Sequence, residues 1–295
     1  MSVFWRMVVY PPLFIKEITP MTIEYRELLT VPELDRTIDI QLLAWGRDMR
    51  SIIAVNMLQA VIHAGGMVIG AILDGKVIGY GLAVIGRKGA DKYYLWSHQT
   101  AVEPQYQRQA IGLGIKLAQR DWALAHGYDT IGWTFDPLQH KNSRFNLHKL
   151  GATGEAFIPD FYGDSLQDDL NRGMRTNRIE VMWHLNAPRV EALARGIAYS
   201  TPITDFPASD FLVRGENGEP ITAKNPAQNE YRFIEIPYDI NGLKIENKSL
   251  AIRWQDAVGE GLSRSFEENY IASDCHSEAG RCWIVLNRIH TGKNG

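Results

Sequence analysis

Gln107-Arg108-Gln109-Ala110-Ile111-Gly112-Leu113-Gly114 joins an apolar strand that ends at Val102 to an amphipathic helix. Small residues at such a junction let backbone N–H groups face a bound anion, and the dipole of the following helix favours negative charge there. Apolar residues then recur at steps of four, three, four and three, which predicts one buried helical stripe made of Ile111, Ile115, Ala118, Trp122 and Ala125. The stretch therefore predicts a phosphate-binding cradle at the start of a helix.

The composition is that of a globular protein. Its 295 residues suffice for one large core or two smaller ones, and its formal net charge is −3. Basic residues are scattered, so the charge pattern gives no support for a nucleic-acid partner. The longest apolar region, residues 57–73, is interrupted by Gln59, His63, Gly65 and Gly66, which argues against a membrane span. We expect a cytoplasmic protein without a nucleic-acid or membrane partner.

Cys275 and Cys282 are the only cysteines, so the sequence contains no disulfide framework and gives no reason to place the protein outside the cell. With His276 and His290 nearby, the pair could be interpreted as part of a zinc site. Two cysteines in a strand-rich segment are more often simply packed in the protein interior. We therefore expect no metal.

Hydrophobic periodicity divides residues 21–186 into a regular series of elements. Helices are predicted at 32–45, 52–64, 111–125 and 138–150, the last closed by Gly151. Strands are predicted at 23–28, 67–73, 77–85, 93–102, 130–135, 155–161 and 179–185, with a hairpin turn at Asp74-Gly75-Lys76. This order predicts an α/β fold in which helices cover a mixed sheet.

The regular series of predicted helices and strands ends near Pro188, and the chain is therefore divided into four segments. Residues 1–20 are predicted to be an N-terminal extension, 21–186 the first domain, 187–230 a linker region, and 231–295 a smaller C-terminal α+β domain. The last segment has a predicted strand at 232–237, a helix at 248–270 and strands near 271 and 283–286. It is either an appended domain or a degenerate duplication of the end of the first domain.

The motif Gln107-x-x-Ala110-x-Gly112 resembles the Gln/Arg-x-x-Gly-x-Gly/Ala motif of the GNAT acyltransferase superfamily, with Ala110 in place of the first glycine. Alanine is strained there if its φ is positive. The approach Ala101-Val102-Glu103-Pro104 and the step Gly79-Tyr80 also resemble the family, and the similarity spans residues 21–185. Residues 133–138 and 142–151 are similar to an uncharacterised branch of predicted GNAT acyltransferases.

The resemblance implies a GNAT-like acyl-CoA transferase fold, with acetyl-CoA or another acyl-CoA as co-substrate. It implies that the coenzyme A pyrophosphate is held by backbone N–H groups at Gln107, Arg108, Gln109, Ala110, Ile111 and Gly112. The pantetheine arm would pair with the strand end at Ala101 and Val102 and touch Asn142. For Gly112 and Gly114, close packing of the helix on a strand is the alternative role, and both roles can hold together.

By the same resemblance, the protein is a coenzyme A-dependent N-acyltransferase that acts on a small-molecule amine, such as an amino acid, by direct transfer in a ternary complex. Acetyl is the default acyl group, and succinyl is an option because Arg172, Arg175 and Arg178 could clamp a carboxylate. A solvated loop is the simpler role for these arginines. A homodimer is an option, and a non-catalytic acyl-CoA-binding sensor or interaction module is the alternative function.

Three side chains are candidates for the catalytic chemistry. His98 shares a strand face with Trp96, Thr100 and Val102 by alternation and could be a general base or a core histidine. Asp136, at the carboxyl end of a strand, is either a site residue or a helix cap. The family's proton-donating tyrosine falls at Leu147, so Tyr162 replaces it only if its loop covers the site. Otherwise Tyr162 is a surface aromatic.

Overall fold

The computed structural model describes residues 22–46, 52–90, 92–163, 173–199, 206–224 and 227–289. Its strands are β1 (Glu24–Glu27), β2 (Met67–Leu73), β3 (Lys76–Lys88), β4 (Lys92–Val102), β5 (Thr130–Phe135), β6 (Thr153–Ile158), β7 (Arg178–His184), β8 (Phe211–Glu216), β9 (Glu219–Thr222), β10 (Tyr231–Ile236), β11 (Tyr270–Glu278) and β12 (Arg281–Arg288). Its helices are α1 (Val31–Trp45), α2 (Val55–His63), α3 (Ile111–Ala125), α4 (His140–Ser143), α5 (Pro188–Ala194), α6 (Ile240–Glu246) and α7 (Lys248–Glu267). In these ranges, no helix is both long and apolar enough to cross a membrane.

All of these strands pair into one mixed sheet, in the order β1-β2-β3-β4-β5-β7-β6-β11-β12-β10-β8-β9. Every strand predicted within residues 21–186 is present, which confirms the predicted α/β fold with a mixed sheet. Asp74 and Gly75 adopt φ values of 50° and 78° in the turn between β2 and β3, as a tight hairpin requires. The predicted N-terminal extension, residues 1–20, lies outside the described residues.

The central strands β4 and β5 run parallel and are paired only briefly. Their register joins Leu95 to Ile131 and Trp96 to Gly132, and no further pair follows although both strands continue. Their carboxyl-terminal halves therefore diverge, which leaves the facing backbone edges without sheet partners. This divergence opens a gap in the middle of the sheet.

The predicted helix at 138–150 is shorter and differently wound than expected. Only α4 is α-helical, and Arg144–Lys149 continues it as a π-helical segment. The N–H of Leu150 donates to the carbonyl of Phe145, five residues earlier, at 2.9 Å. Leucine and alanine periodicity cannot distinguish these two windings, because they differ by about one residue per turn.

The buried face of α3 is also rotated from the predicted stripe. Ile111 and Ile115 are buried as expected, but Ala125 is exposed, while Ala118 and Trp122 are only half-buried. Steps of four residues instead define the buried face, which comprises Ile111, Ile115, Lys116, Gln119 and Ala123. Two polar residues that the predicted stripe did not include, Lys116 and Gln119, therefore belong to the interior.

Cys275 and Cys282 lie buried in the core between β11 and β12, with their sulfur atoms 3.4 Å apart. Both thiols pack beside aliphatic side chains of the two strands. Within the described ranges, no group of three or more His, Cys, Asp or Glu side chains is placed to hold a metal ion.

The C-terminal strands continue the sheet of the first part of the chain. The junction is the pairing of β11 with β6 at Ala272 and Gly154, where a Cβ on the glycine would lie 2.9 Å from the alanine Cβ. Residues 187–230 are not uniformly irregular, because they contain α5, β8 and β9, and β8 pairs parallel with β10. The domain boundaries expected from the sequence stay a prediction.

The buried carboxylate of Asp274 links the C-terminal strands of the sheet to the first part of the chain. Asp274 on β11 accepts from His148 Nδ1 at 2.9 Å and forms an ion pair with Arg189 Nη2 at 3.2 Å. Arg189 Nη2 also donates to the carbonyl of Leu147 at 3.0 Å. The π-helical segment, α5 and β11 are thereby held at one point.

We expect Asp274→Ala to lower the free energy of unfolding by about 2–4 kcal/mol, because it leaves the half-buried Arg189 cation without its carboxylate. Urea denaturation followed by circular dichroism measures the change. Asp256→Ala is the matched control, since its pair with Arg175 is half exposed, and its effect should stay within about 0.5 kcal/mol. Equal effects of the two substitutions would contradict the anchoring role of Asp274.

Candidate active site

A cavity of about 700 Å³ occupies the gap between β4 and β5. Its walls are the diverging half of β4 with the loop that follows, the start of α3, the end of β5, and α4 with the π-helical segment. The lining residues from these walls are Ser97, His98, Thr100, Val102, Tyr106, Gln107, Arg108, Ala110, Ile111, Gly112, Leu113, Lys116, Trp133, Thr134, Phe135, His140, Lys141, Asn142, Arg144, Phe145, Asn146 and Lys149.

The loop before α3 is shaped to present backbone N–H groups to this cavity. Arg108 and Ala110 take left-handed conformations, with φ values of 66° and 59°, so Ala110 has the strained geometry that a glycine would relieve. No side chain in the described part of the chain caps α3, and its first helical bond runs from the N–H of Gly114 to the carbonyl of Ala110 at 3.0 Å. The N–H groups of residues 111–113 therefore have no partner within the helix and are available to an anion.

The two glycines at the start of α3 have different surroundings. A Cβ built on Gly112 meets no heavy atom within 4 Å, and this face borders the cavity. A Cβ on Gly114 would lie 2.2 Å from Cζ of Tyr25, so this glycine allows β1 to pack closely against α3. Space for a ligand is thus found at Gly112, whereas Gly114 serves the packing of helix on strand.

Most of the residues expected to bind a cofactor border the cavity. Those that do are Val102, Gln107, Arg108, Ala110, Ile111, Gly112 and Asn142. The side chain of Ala101 is buried in the core with Tyr80, on the opposite side of the strand. Gln109 turns back to its own loop, where its Nε2 donates to the carbonyl of Gln105 at 3.4 Å.

His98 lies at a β-bulge that sequence alternation did not predict. Leu82 pairs with Gln99 and Ala83 with Ser97, so His98 is an extra residue without a partner on β3. The bulge reverses the alternation, and Ser97 rather than Trp96 borders the cavity with Thr100 and Val102. The prediction that Trp96 shares this face is wrong. His98 is exposed and borders the cavity, and desolvation by the surrounding chain lowers its pKa.

The structure does not bring Asp136 and Tyr162 to the cavity. The carboxylate of Asp136 accepts from the N–H of Leu138 at 2.9 Å and so closes the turn after β5; burial raises its pKa. The ring of Tyr162 lies against Phe161 and under the guanidinium of Arg178. Neither residue borders the cavity. The turn after β5 instead contacts α6, where Gln139 Nε2 donates to Asn241 Oδ1 at 3.2 Å.

The arginines proposed as a carboxylate clamp are not assembled in the cavity. Arg175 pairs with Asp256 on α7, and Arg178 donates to the carbonyl of Asn177 at 2.9 Å. Neither side chain borders the cavity. Arg172 lies outside the described residues.

Lys116 is a cavity residue that the sequence analysis missed. The residue is 4% exposed, and its Nζ donates to Ser97 Oγ at 2.7 Å. Lys116 Nζ also lies 4.0 Å from the ring centre of Trp133. Desolvation by burial lowers its pKa to about 7. The sequence signal that could have identified Lys116 is the four-residue spacing of Ile111, Ile115 and Gln119. Lys116 lies at the edge of the helix face that these residues form.

The charges that border the cavity are positive. Among the described residues that line it there is no Asp or Glu, and the basic side chains are His98, Arg108, Lys116, His140, Lys141, Arg144 and Lys149. A gap between parallel strands, an uncapped helix N-terminus and a basic lining together fit an elongated ligand that carries phosphate groups.

Residues 32–152 match the family model described as the acetyltransferase (GNAT) family, and this segment contains α1 through the π-helical segment. Residues 32–152 thus form a GNAT acetyltransferase domain. Members of this family are acyl-CoA N-acyltransferases, and their co-substrate is an acyl-CoA. No curated protein is significantly similar to the chain in sequence.

Several solved GNAT acetyltransferases are similar to the chain at low identity. One from Desulfovibrio desulfuricans is 14% identical, with 56% of this chain and 99% of that chain covered and a TM-score of 0.42. The IAA acetyltransferase from Bacillus cereus is 14% identical, with 56% of this chain and 100% of that chain covered and a TM-score of 0.43. The ribosomal-protein-S18-alanine N-acetyltransferase from Escherichia coli is 12% identical, with 63% of this chain and 100% of that chain covered and a TM-score of 0.43.

The position that the GNAT resemblance assigns to a proton-donating tyrosine is a core position here. Leu147 is fully buried in the main hydrophobic cluster and does not border the cavity. Its neighbour Asn146 does so, and Asn146 Oδ1 accepts from Trp133 Nε1 at 3.2 Å. His148 on the other side is bound to Asp274.

We expect Ala110→Gly to raise the free energy of unfolding of this GNAT domain by about 0.5–1 kcal/mol, because glycine removes the left-handed strain at a smaller cost in chain entropy. Ala279→Gly is the matched control: its φ is 49° in the turn between β11 and β12. Urea denaturation should give similar gains for both. A loss of stability at Ala110 alone would contradict the left-handed geometry of the loop.

Lys116 should make stability depend on pH in a defined direction. Its folded pKa is about 7, below the ordinary value of 10.5, so between these values the unfolded chain binds one more proton than the folded chain. The free energy of unfolding of the wild type relative to Lys116→Met should therefore rise by up to about 1.4 kcal/mol per pH unit from pH 7 to 10. Urea denaturation at several pH values tests this, with the exposed cavity lysine in Lys149→Met as control. A flat difference would contradict the burial of a proton-binding lysine.

Proposed function

We propose that this protein transfers an acetyl group from acetyl-CoA to the amine of a small molecule that also carries a carboxylate, such as an amino acid, by direct transfer in a ternary complex. The observation that carries the proposal is the cavity between β4 and β5, which meets an uncapped helix N-terminus at one end and a buried amine at the other.

The residues present fit a coenzyme A molecule. The N–H groups of residues 111–113 and the empty face of Gly112 would accept the pyrophosphate, and Arg108 and Lys141 would add positive charge. The edge of β4 beyond Trp96 has no partner on the β5 side, so its backbone groups can bind an extended arm as an added strand. When bound, acyl-CoA supplies an activated acyl group.

His98 is proposed to accept the proton of the attacking amine. It borders the cavity from a bulge, where its ring is exposed to water, and its lowered pKa keeps the imidazole neutral near pH 7. Holding the amine beside the acyl group supplies much of the remaining rate, since proximity alone can contribute about 7–11 kcal/mol.

The charge of the cavity favours an acceptor with a negative group. In the described lining there is no carboxylate to bind a second ammonium group of the acceptor, whereas several lysine, arginine and histidine side chains can bind its carboxylate. A polycationic acceptor would be repelled by the same side chains. Because Arg175 and Arg178 are engaged elsewhere, acetyl remains the acyl group that we propose.

Isothermal titration with acetyl-CoA and with desulfo-CoA tests the proposal, and absence of binding of both at millimolar ligand would contradict it.

Gly112→Ala should weaken binding at least about tenfold, because the added methyl group occupies the approach of the phosphate. Its thermal stability should not fall, since alanine is the better helix former. Gly114→Ala should instead lower the thermal stability, because the added methyl group collides with Tyr25. Equal binding by Gly112→Ala and wild type would argue against this cradle.

A further inference from the structure

Lys116 Nζ lies at the apex of the gap between β4 and β5. The last paired residues of the two strands are Trp96 and Gly132. Nζ is 2.7 Å from Oγ of Ser97 and 4.0 Å from the ring centre of Trp133. Those two residues are the first on each strand beyond the pairing. The amine is thus placed at the point where an arm inserted between the strands must end.

Among the residues that the structure describes, no carboxylate pairs with this cation. Ser97 Oγ accepts its hydrogen bond, and the face of the Trp133 ring is the other polar contact that the structure records. The charged and titratable groups that face the cavity from β4, the loop, α4 and the π-helical segment are His98, Tyr106, Arg108, His140, Lys141, Arg144 and Lys149, and none is an acid. Burial without a counter-ion is the reason that the Lys116 pKa falls to about 7.

A ligand held at the cradle runs toward this amine. The N–H groups of residues 111–113 lie at the open, carboxyl-terminal end of β4, and the unpaired edge of β4 leads from there to Ser97. If the phosphates of coenzyme A bind at the cradle, its sulfur end approaches the apex.

We propose that Lys116 is the cation that stabilises the sulfur of coenzyme A as it leaves the acyl group; this inference rests on the proposed function. A neutral thioester gains little from a nearby ammonium group, whereas a departing thiolate gains a full ion pair in a desolvated site. The interaction therefore grows as the reaction proceeds, which is the condition for lowering the barrier.

The step balances without another reactant. The amine lone pair forms the C–N bond to the acyl carbon, and the C–S bond breaks with its electron pair moving to sulfur. The proton of the amine goes to His98 or to water. The thiolate is left beside the protonated Lys116, and it takes a proton from solvent on release. This role replaces the tyrosine that Leu147 cannot supply.

The test measures the ionisation of bound coenzyme A and needs no acceptor. Ultraviolet absorbance of the thiolate is recorded across pH for coenzyme A bound to the wild type, Lys116→Met and Lys92→Met, with the desulfo-CoA complex subtracted as background. Lys92 is the control because it is exposed at the start of β4 and does not line the cavity. An opposite charge within about 4–6 Å lowers a pKa by about 1–3 units. We therefore expect at least about five times more thiolate at pH 7 in the wild type than in Lys116→Met, and Lys92→Met should match the wild type.

Each outcome bears on a separate claim. Equal thiolate fractions in wild type and Lys116→Met, with coenzyme A bound to both, would overturn the role of Lys116 and leave the proposed function intact. If no variant binds coenzyme A by titration calorimetry, the proposed function itself fails. Acetylation of Lys116 by acetyl-CoA, seen by peptide mass mapping, would show that it reacts as a nucleophile and would also overturn the proposal. Lys116→Arg, which keeps the charge, should retain the raised thiolate fraction.

Discussion

The parting of β4 from β5 after only two register positions is the constraint on which the cavity depends. Parallel strands in the interior of a sheet normally satisfy their backbone groups on both edges. Here the edges beyond Trp96 and Gly132 are released, and the cavity is the space between them. The same divergence places the buried Lys116 and the bulge residue His98 at the cavity and leads to the loop at the start of α3.

The charges of the cavity follow from this geometry. A buried lysine is costly, and the protein retains it where its polar contacts within the described ranges are a hydroxyl and a ring face. A nearby anion would lower the electrostatic free energy of this buried cation. An anion would likewise stabilise the uncapped N–H groups at the start of α3. Both ends of the cavity therefore favour a negatively charged group.

Much of the fold followed from periodicity, and the failures have physical causes. The β2–β3 turn was predictable because Asp74 and Gly75 tolerate positive φ, and β5 was predicted at its observed bounds. The phosphate-binding role of the loop before α3 stays a prediction. The bulge at His98 was not predicted, because alternation assumes an unbroken ladder. Lys116 was missed because lysine is ordinarily assigned to the surface, and no sequence pattern records that Ser97 and Trp133 would enclose it.

The link between His148 and Asp274 spans 126 positions of the chain. It joins the segment that forms one wall of the cavity to a strand close to the last described residues. During synthesis on the ribosome, the loop before α3 and the central strands emerge well before β11 does, so the wall receives this support only after β11 has been made. A nascent chain in which the central strands have already formed would still lack the contact that anchors this wall of the cavity.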